Sequence, residues 1–302
     1  MRVAVIDIGS HSVLLLIGER ADGGWQVSLD TARITRLGEG FSQGRTLQPQ
    51  AIQRTLETLS EYFTICRVQG VARVIAVATA VVREAQNREV FLHQVRALSP
   101  ATAECSVLSE SDEARYSFLS ATLDPERSVG EESLAVLDIG GGSVEVAFGH
   151  REVEHWFSFP VGAGRVRETA MPSDPPSPRE VLRATRHLDE AFAPLRTLPQ
   201  PDRVVAVGGT GVNLAMLALG RTQFAPAAAH GVWFDDETPA ALLERLLRLS
   251  DAERRALPGI EPDRAPLLHI GALILERALF ALRRETVQIS ARGLRYGILW
   301  SL

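Results

Sequence analysis

Residues 3–19 read VAVIDIGSHSVLLLIGE, and residues 134–150 read LAVLDIGGGSVEVAFGH. The two stretches align without a gap at an offset of 131, with identities at Ala4, Val5, Asp7, Ile8, Gly9, Ser12, Val13 and Gly18, 8 of 17 positions. Each copy is an apolar run, a tight Gly/Ser turn and a second apolar run, the pattern of a β-hairpin. A duplicated hairpin predicts a chain built from two similar halves.

The surrounding sequence supports that division. Downstream of the first hairpin the pattern predicts a strand near 25–29, a helix over 48–68, a strand over 74–78, a helix over 88–98, a strand over 105–108 and a helix over 112–123. The second hairpin is followed by a strand over 153–159, a helix over 178–195, a strand over 204–207, a helix after Gly211, a long helix over 267–282 and a strand over 287–290. Hairpins followed by alternating strands and helices imply an α/β protein with mixed sheets covered on both faces. The polar stretch DPERSVGEES, residues 124–133, reads as the connection between domains 1–125 and 126–302. The last helix is a candidate to pack back on the first domain.

Composition narrows the chemistry. The 302 residues are 45% hydrophobic and 23% charged, with a net charge of −5. The isoelectric point near 5.9 argues against nucleic acid or an anionic membrane as partner. All 32 basic residues are arginine. Without lysine there is no Walker-type phosphate lysine, no kinase-type Lys–Glu pair and no Schiff base. Any phosphate must be held by arginine, backbone N–H groups and metal. Two cysteines and seven unpaired histidines give none of the usual zinc spacings, so a metal would be held by carboxylates. No N-terminal signal pattern and no run of about 18 uninterrupted apolar residues occurs; the expectation is a cytoplasmic protein.

Both repeated loops place an aspartate at a strand end, Asp7 and Asp138, ahead of Gly9, Ser10, His11 and Ser12 in one copy and Gly140, Gly141, Gly142 and Ser143 in the other. Such loops turn successive N–H groups toward one point and form an anion cradle, while the aspartate can hold a hydrated divalent cation. Two copies facing each other across an interdomain cleft would grip phosphate from both sides. A third loop, Val207–Gly211 (VGGTG), again follows a strand and opens a helix, placing Gly208, Gly209 and Thr210 at a positive helix end.

In this order the residues resemble the exopolyphosphatase and guanosine pentaphosphate phosphohydrolase family, within the actin, sugar kinase and Hsp70 superfamily. DIGSHS (7–12) resembles its first phosphate loop, ATAVVREAQN (78–87) its Ala-Thr, Arg and Asn segment, SESDEARYSFL (109–119) its Glu-Glu-Ala-Arg helix, and DIGGGSVE (138–145) its second phosphate loop. PVG (160–162), VGGT (207–210) and GLRYG (293–297) complete the series. His11 stands where asparagine is usual, Asp112 replaces the first of two glutamates, and Pro266 stands where aspartate is frequent.

The resemblance implies two actin-like (ribonuclease H-like) domains, each a mixed sheet flanked by helices, in a short form lacking the C-terminal helical domains of longer relatives. It implies Glu113 as the general base that activates a water, and places Glu145 with Asp138 and Asp7 around Mg²⁺, for which Mn²⁺ would substitute. A helix-capping role for Glu113, and a solvated strand face for Glu145, are the plain alternatives. Arg83 and Asn87, four residues apart, would share a helix face as phosphate ligands, the alternative being a surface ion pair of Arg83 with Glu84 or Glu89. The implied activity is removal of terminal phosphate from inorganic polyphosphate by a homodimer, with guanosine pentaphosphate as the alternative substrate. A non-catalytic sensor of polyphosphate or alarmone, and a kinase of the same superfamily, are the rival classes.

Overall fold

In the computed structural model the described residues, 1–126 and 130–302, form two units, Met1–Asp124 with Leu294–Leu302, and Pro125–Gly293. The predicted interdomain connection falls partly on 127–129, outside the described residues. The first unit runs β1 (Arg2–Ile8), β2 (Ser12–Ala21), β3 (Gly24–Ile34), α1 (Pro49–Val68), β4 (Arg73–Ala78), α2 (Ala80–Glu84), α3 (Arg88–Leu98), β5 (Ala103–Val107) and α4 (Glu110–Thr122). Its sheet has the order β3-β2-β1-β4-β5, antiparallel among the first three strands and parallel from β1 to β5. β1 is apolar on both faces because it is central: Val3, Ala4, Val5 and Ile6 are all buried.

The second unit repeats the plan with β6 (Leu134–Ile139), β7 (Val144–Gly149), β8 (Val153–Phe159), α5 (Ala163–Thr169), α6 (Pro178–Ala191), β9 (Arg203–Val207), α7 (Gly208–Ala218), α8 (Pro226–Ala229), β10 (Trp233–Phe234), α9 (Thr238–Arg248), α10 (Asp251–Arg255), α11 (Ala265–Leu282) and β11 (Val287–Ser290). Its sheet order is β10-β11-β9-β6-β7-β8. Thus β6, β7, β8, β9 and β11 stand where β1, β2, β3, β4 and β5 stand in the first unit. α6 is fixed at its start by a reciprocal cap between Ser177 and Glu180, with Pro178 in the first turn. α11 is long and apolar enough to cross a membrane, yet it is mostly buried and forms the spine of the second unit's core with Leu268, Ile270, Leu273, Ile274 and Leu275.

The final helix, α12 (Leu294–Trp300), belongs to the first unit. Leu294, Ile298 and Leu299 join Val3, Val5, Leu16 and Val77 in one buried cluster. Arg295 donates to both oxygens of Asp30 on β3, at 2.7 and 2.9 Å, and the Tyr296 hydroxyl donates to Asp30 Oδ2 at 2.8 Å. Gly297 lies so close to α4 that a Cβ there would sit 1.8 Å from the Tyr116 carbonyl oxygen, so only glycine fits.

Candidate active site

The two repeated turns close identically. Gly9 N–H donates to Ser12 O at 3.0 Å, and Gly140 N–H donates to Ser143 O at 3.0 Å. Most of the other loop carbonyls are used elsewhere. In the first unit Ser10 O accepts from Gly38 N–H at 2.8 Å, and His11 O accepts from Thr35 and Arg36 at 3.0 and 2.9 Å. In the second, the start of α5 takes the carbonyls: Gly162 N–H donates to Gly142 O, Ala163 N–H to Gly140 O, and Gly164 and Arg165 N–H to Gly141 O. A Cβ on Gly162 would lie 2.5 Å from Ser143 N and Gly142 C, so the PVG segment packs backbone against backbone. Among the described residues no backbone carbonyl accepts from the N–H of Gly141, Gly142 or Ser143, which leaves a run of donors of the kind that binds an oxyanion.

The strands flanking these turns carry different side chains. Asp138 on β6 lies directly opposite Glu145 on β7, and Glu145 directly opposite Ser158 on β8. Opposed residues of antiparallel strands share a sheet face, so the three form one polar row. Ser158 Oγ donates to Glu145 Oε1 at 3.0 Å. Glu145 is only 6% exposed, which overturns the reading of a solvated strand face: β7 lies between two neighbours and is buried on both sides. In the first unit the same row reads Asp7, Leu14, Ala32. Asp7 thus has no second carboxylate across the hairpin, and among the described residues no three acidic, His or Cys side chains are grouped to hold a metal.

The third loop is the second member of the repeat. Thr79 and Thr210 are also 131 apart; Thr79 Oγ1 is 3.4 Å from Ile8 O and Thr210 Oγ1 is 3.2 Å from Ile139 O. Each threonine hydroxyl therefore ties the segment that follows a parallel strand to the preceding hairpin. α7 begins at Gly208, earlier than expected, with Gly208 at φ +85° beneath Asp138, where a Cβ would meet Oδ1 at 2.9 Å. Gly209 is covered by Arg264, whose guanidinium carbon would lie 2.2 Å from a Cβ there. Arg264 Nε donates to Glu261 at 2.7 Å, and Asn213 Nδ2 bridges Gly209 O and Glu261 at 2.9 and 3.1 Å. Sequence reading missed this group, whose members are brought together only by the tertiary fold.

In the first unit, Ser109 caps α4, accepting from Asp112 N–H at 3.1 Å and donating to Asp112 Oδ2 at 2.6 Å. Capping thus falls to Ser109 and Asp112, and Glu113, one position on, turns inward. It is 4% exposed and accepts a hydrogen bond from Arg83 Nη1, which also donates to Leu108 O at 3.0 Å. Arg83 is also 3.8 Å from Glu110; Glu89, one of its expected surface partners, accepts from Arg88 instead. Arg83 and Asn87 do not share a helix face, because α2 ends at Glu84 and Ala85 is extended. Both polar atoms of the Asn87 amide are spent on Leu47, accepting from its N–H at 2.9 Å and donating to its carbonyl at 3.0 Å.

Comparison with known proteins gives the family. The model of the Ppx/GppA phosphatase family matches residues 15–302. The chain belongs to that family. Among curated relatives, exopolyphosphatase 1 of Mycobacterium bovis is 34% identical over 99% of this chain and 87% of its own length. Exopolyphosphatase 2 of Mycobacterium tuberculosis is 32% identical over 100% and 98%. The solved Ppx/GppA enzyme of Aquifex aeolicus superposes with a TM-score of 0.83 at 32% identity, covering 100% of this chain and 99% of that one. As a Ppx/GppA phosphatase, the protein is a hydrolase acting on phosphoanhydride bonds. Of the three departing positions, Asp112 completes the α4 cap with its side chain; the His11 carbonyl that anchors the chain after β3, and the Pro266 carbonyl that accepts from Arg167 at 2.8 Å, are backbone groups that any residue would supply.

Proposed function

We propose that this phosphatase is an exopolyphosphatase that releases orthophosphate from the end of inorganic polyphosphate, with guanosine pentaphosphate a slower second substrate. The observation that carries the reading is the buried Glu113 carboxylate joined to the Arg83 guanidinium: a proton acceptor and a phosphate-binding cation held together on one unit. The first loop, Gly9–Ser12, binds oxygens of the terminal phosphoryl group, and the donors at Gly141, Gly142 and Ser143 are a second oxyanion cradle on the other unit. Arg83 takes a further oxygen, which loosens its hold on Glu113. Glu113 then accepts a proton from a water whose oxygen attacks the terminal phosphorus, while the bridging P–O bond breaks and the shortened chain leaves with its electron pair.

Asp138 and Glu145, hard oxygen donors on one sheet face, fit Mg²⁺, which takes one or two carboxylates together with phosphates and water; Mn²⁺ would substitute. Bound there, the cation would neutralise charge on the phosphate oxygens. Asn87, fully engaged with Leu47, and Thr210, bonded to Ile139, shape the loops instead of touching phosphate. Orthophosphate release from polyphosphate, guanosine pentaphosphate and ATP, measured side by side with Mg²⁺, tests the proposal. Polyphosphate should be best. Preference for guanosine pentaphosphate would exchange the two substrates, acceptor-dependent use of ATP would mean a kinase, and binding without release would mean a sensor.

A further inference from the structure

Glu145 is a buried carboxylate at a position the hairpin does not reserve for one. Its counterpart at the repeat offset is Leu14, and opposite Leu14 stands Ala32 where Glu145 has Ser158. The first unit builds the same hairpin with Leu14 and Ala32 at those two places, so the fold requires neither the carboxylate nor the hydroxyl. Burying an ionised carboxylate is costly unless hydrogen bonds compensate it, and Ser158 Oγ supplies one at 3.0 Å. Because the two residues are paired in the β7–β8 ladder, the donor's position is fixed by strand register. The segment that carries Ser158 continues through Phe159 and Pro160 to Gly162, whose N–H holds Gly142 O. One short stretch of chain therefore anchors both the carboxylate and the phosphate loop.

We propose that Ser158 is a positioning residue: by donating to Glu145 it holds that carboxylate on the Asp138 face and so sets the affinity of the pair for a divalent cation. The proposal rests on the reading of Asp138 and Glu145 as the metal-holding pair. Partners of metal ligands typically change affinity by 10- to 100-fold when removed, and a single neutral hydrogen bond belongs at the lower end of that range.

The test is a Mn²⁺ titration followed by electron paramagnetic resonance, in saturating orthophosphate, on the whole protein and on Ser158→Ala, Ser158→Thr and Glu145→Gln. Ser158→Ala should bind Mn²⁺ about tenfold more weakly with an unchanged melting temperature. Ser158→Thr, which keeps the hydroxyl, should bind as wild type does. In turnover, Ser158→Ala should need more Mg²⁺ to reach an unchanged kcat, with KM for polyphosphate unaltered at saturating metal. Wild-type Mn²⁺ affinity in Ser158→Ala, alongside weakened binding by Glu145→Gln, would overturn the positioning role and leave the metal pair standing. Wild-type affinity in Glu145→Gln would remove the metal pair itself. A loss in Ser158→Ala that Ser158→Thr does not repair would also overturn the proposal, by assigning the effect to packing.

Discussion

The β1–β2 and β6–β7 hairpins share their turn, their register and eight residues, and differ in the row behind the turn. In the second unit that row is Asp138, Glu145, Ser158; in the first it is Asp7, Leu14, Ala32. After the parallel strand the division is the other way: Arg83, which holds Glu113, belongs to the first unit. The duplicated scaffold therefore supplies two loops of one design, while the side chains proposed to react are divided, Glu113 and Arg83 on one unit and Asp138 and Glu145 on the other.

The largest effect should come from the first unit. Glu113→Gln keeps shape and burial and removes basicity, so turnover should fall by about 10²-fold or more with the melting temperature unchanged. Phosphate release near the wild-type rate would strip the first unit of its assigned part. The next effect separates the two aspartates. Asp138→Asn should raise the Mg²⁺ concentration needed for half-maximal activity by about 10- to 100-fold, and Asp7→Asn, which faces Leu14, by much less. Equal shifts would erase the distinction between the rows.

A third difference concerns stability. His269 on α11 is fully buried, and neither ring nitrogen has a hydrogen-bond partner among the described residues. Burial, reinforced by Arg254 and Arg167, pushes its pKa down to about 3. The folded protein keeps it neutral while the unfolded chain protonates it below its ordinary value of 6.5. Its contribution is therefore whole above pH 6.5 and is lost as pH falls toward 3, at about 1.4 kcal/mol per pH unit. Urea melts at pH 7 and pH 5 should show this loss, and His269→Leu should flatten it; an unchanged slope in the variant would place the acid sensitivity elsewhere. The smallest effect tests the equivalence of the threonines. Thr210→Val should cost about 1 kcal/mol, and Thr79→Val less, because Ile8 O also accepts from the Thr79 N–H at 3.2 Å. A larger loss at Thr79 than at Thr210 would contradict the match.

The repeat, the hairpins and most of the alternating elements were legible because apolar periodicity and Gly/Ser turns are local signals. The inward turn of Glu113 was legible only through family resemblance, since Glu110, Asp112 and Glu113 all look alike at a helix start. Thr79 could have been found by carrying the offset of 131 beyond the hairpin. Ser158 could not, because β8 begins at Val153 while β3 begins at Gly24, and the offset is lost in the turn. Asn87 and Arg264 were opaque for a different reason: their partners, Leu47 and Gly209, lie 40 and 55 residues away, and no pattern in the intervening sequence marks the meeting.

The return of α12 to the first unit has a consequence for how the protein is made. Residues 294–302 emerge from the ribosome after every residue of the second unit, yet Val3, Val5 and Leu16 are buried against Leu294, Ile298 and Leu299. Throughout synthesis of the second unit, the first holds part of its central hairpin open to water, an apolar surface that a nascent chain must shelter or lend to a chaperone. A premature stop just ahead of residue 294 would leave the second unit's sheet intact and injure instead the half that was translated first.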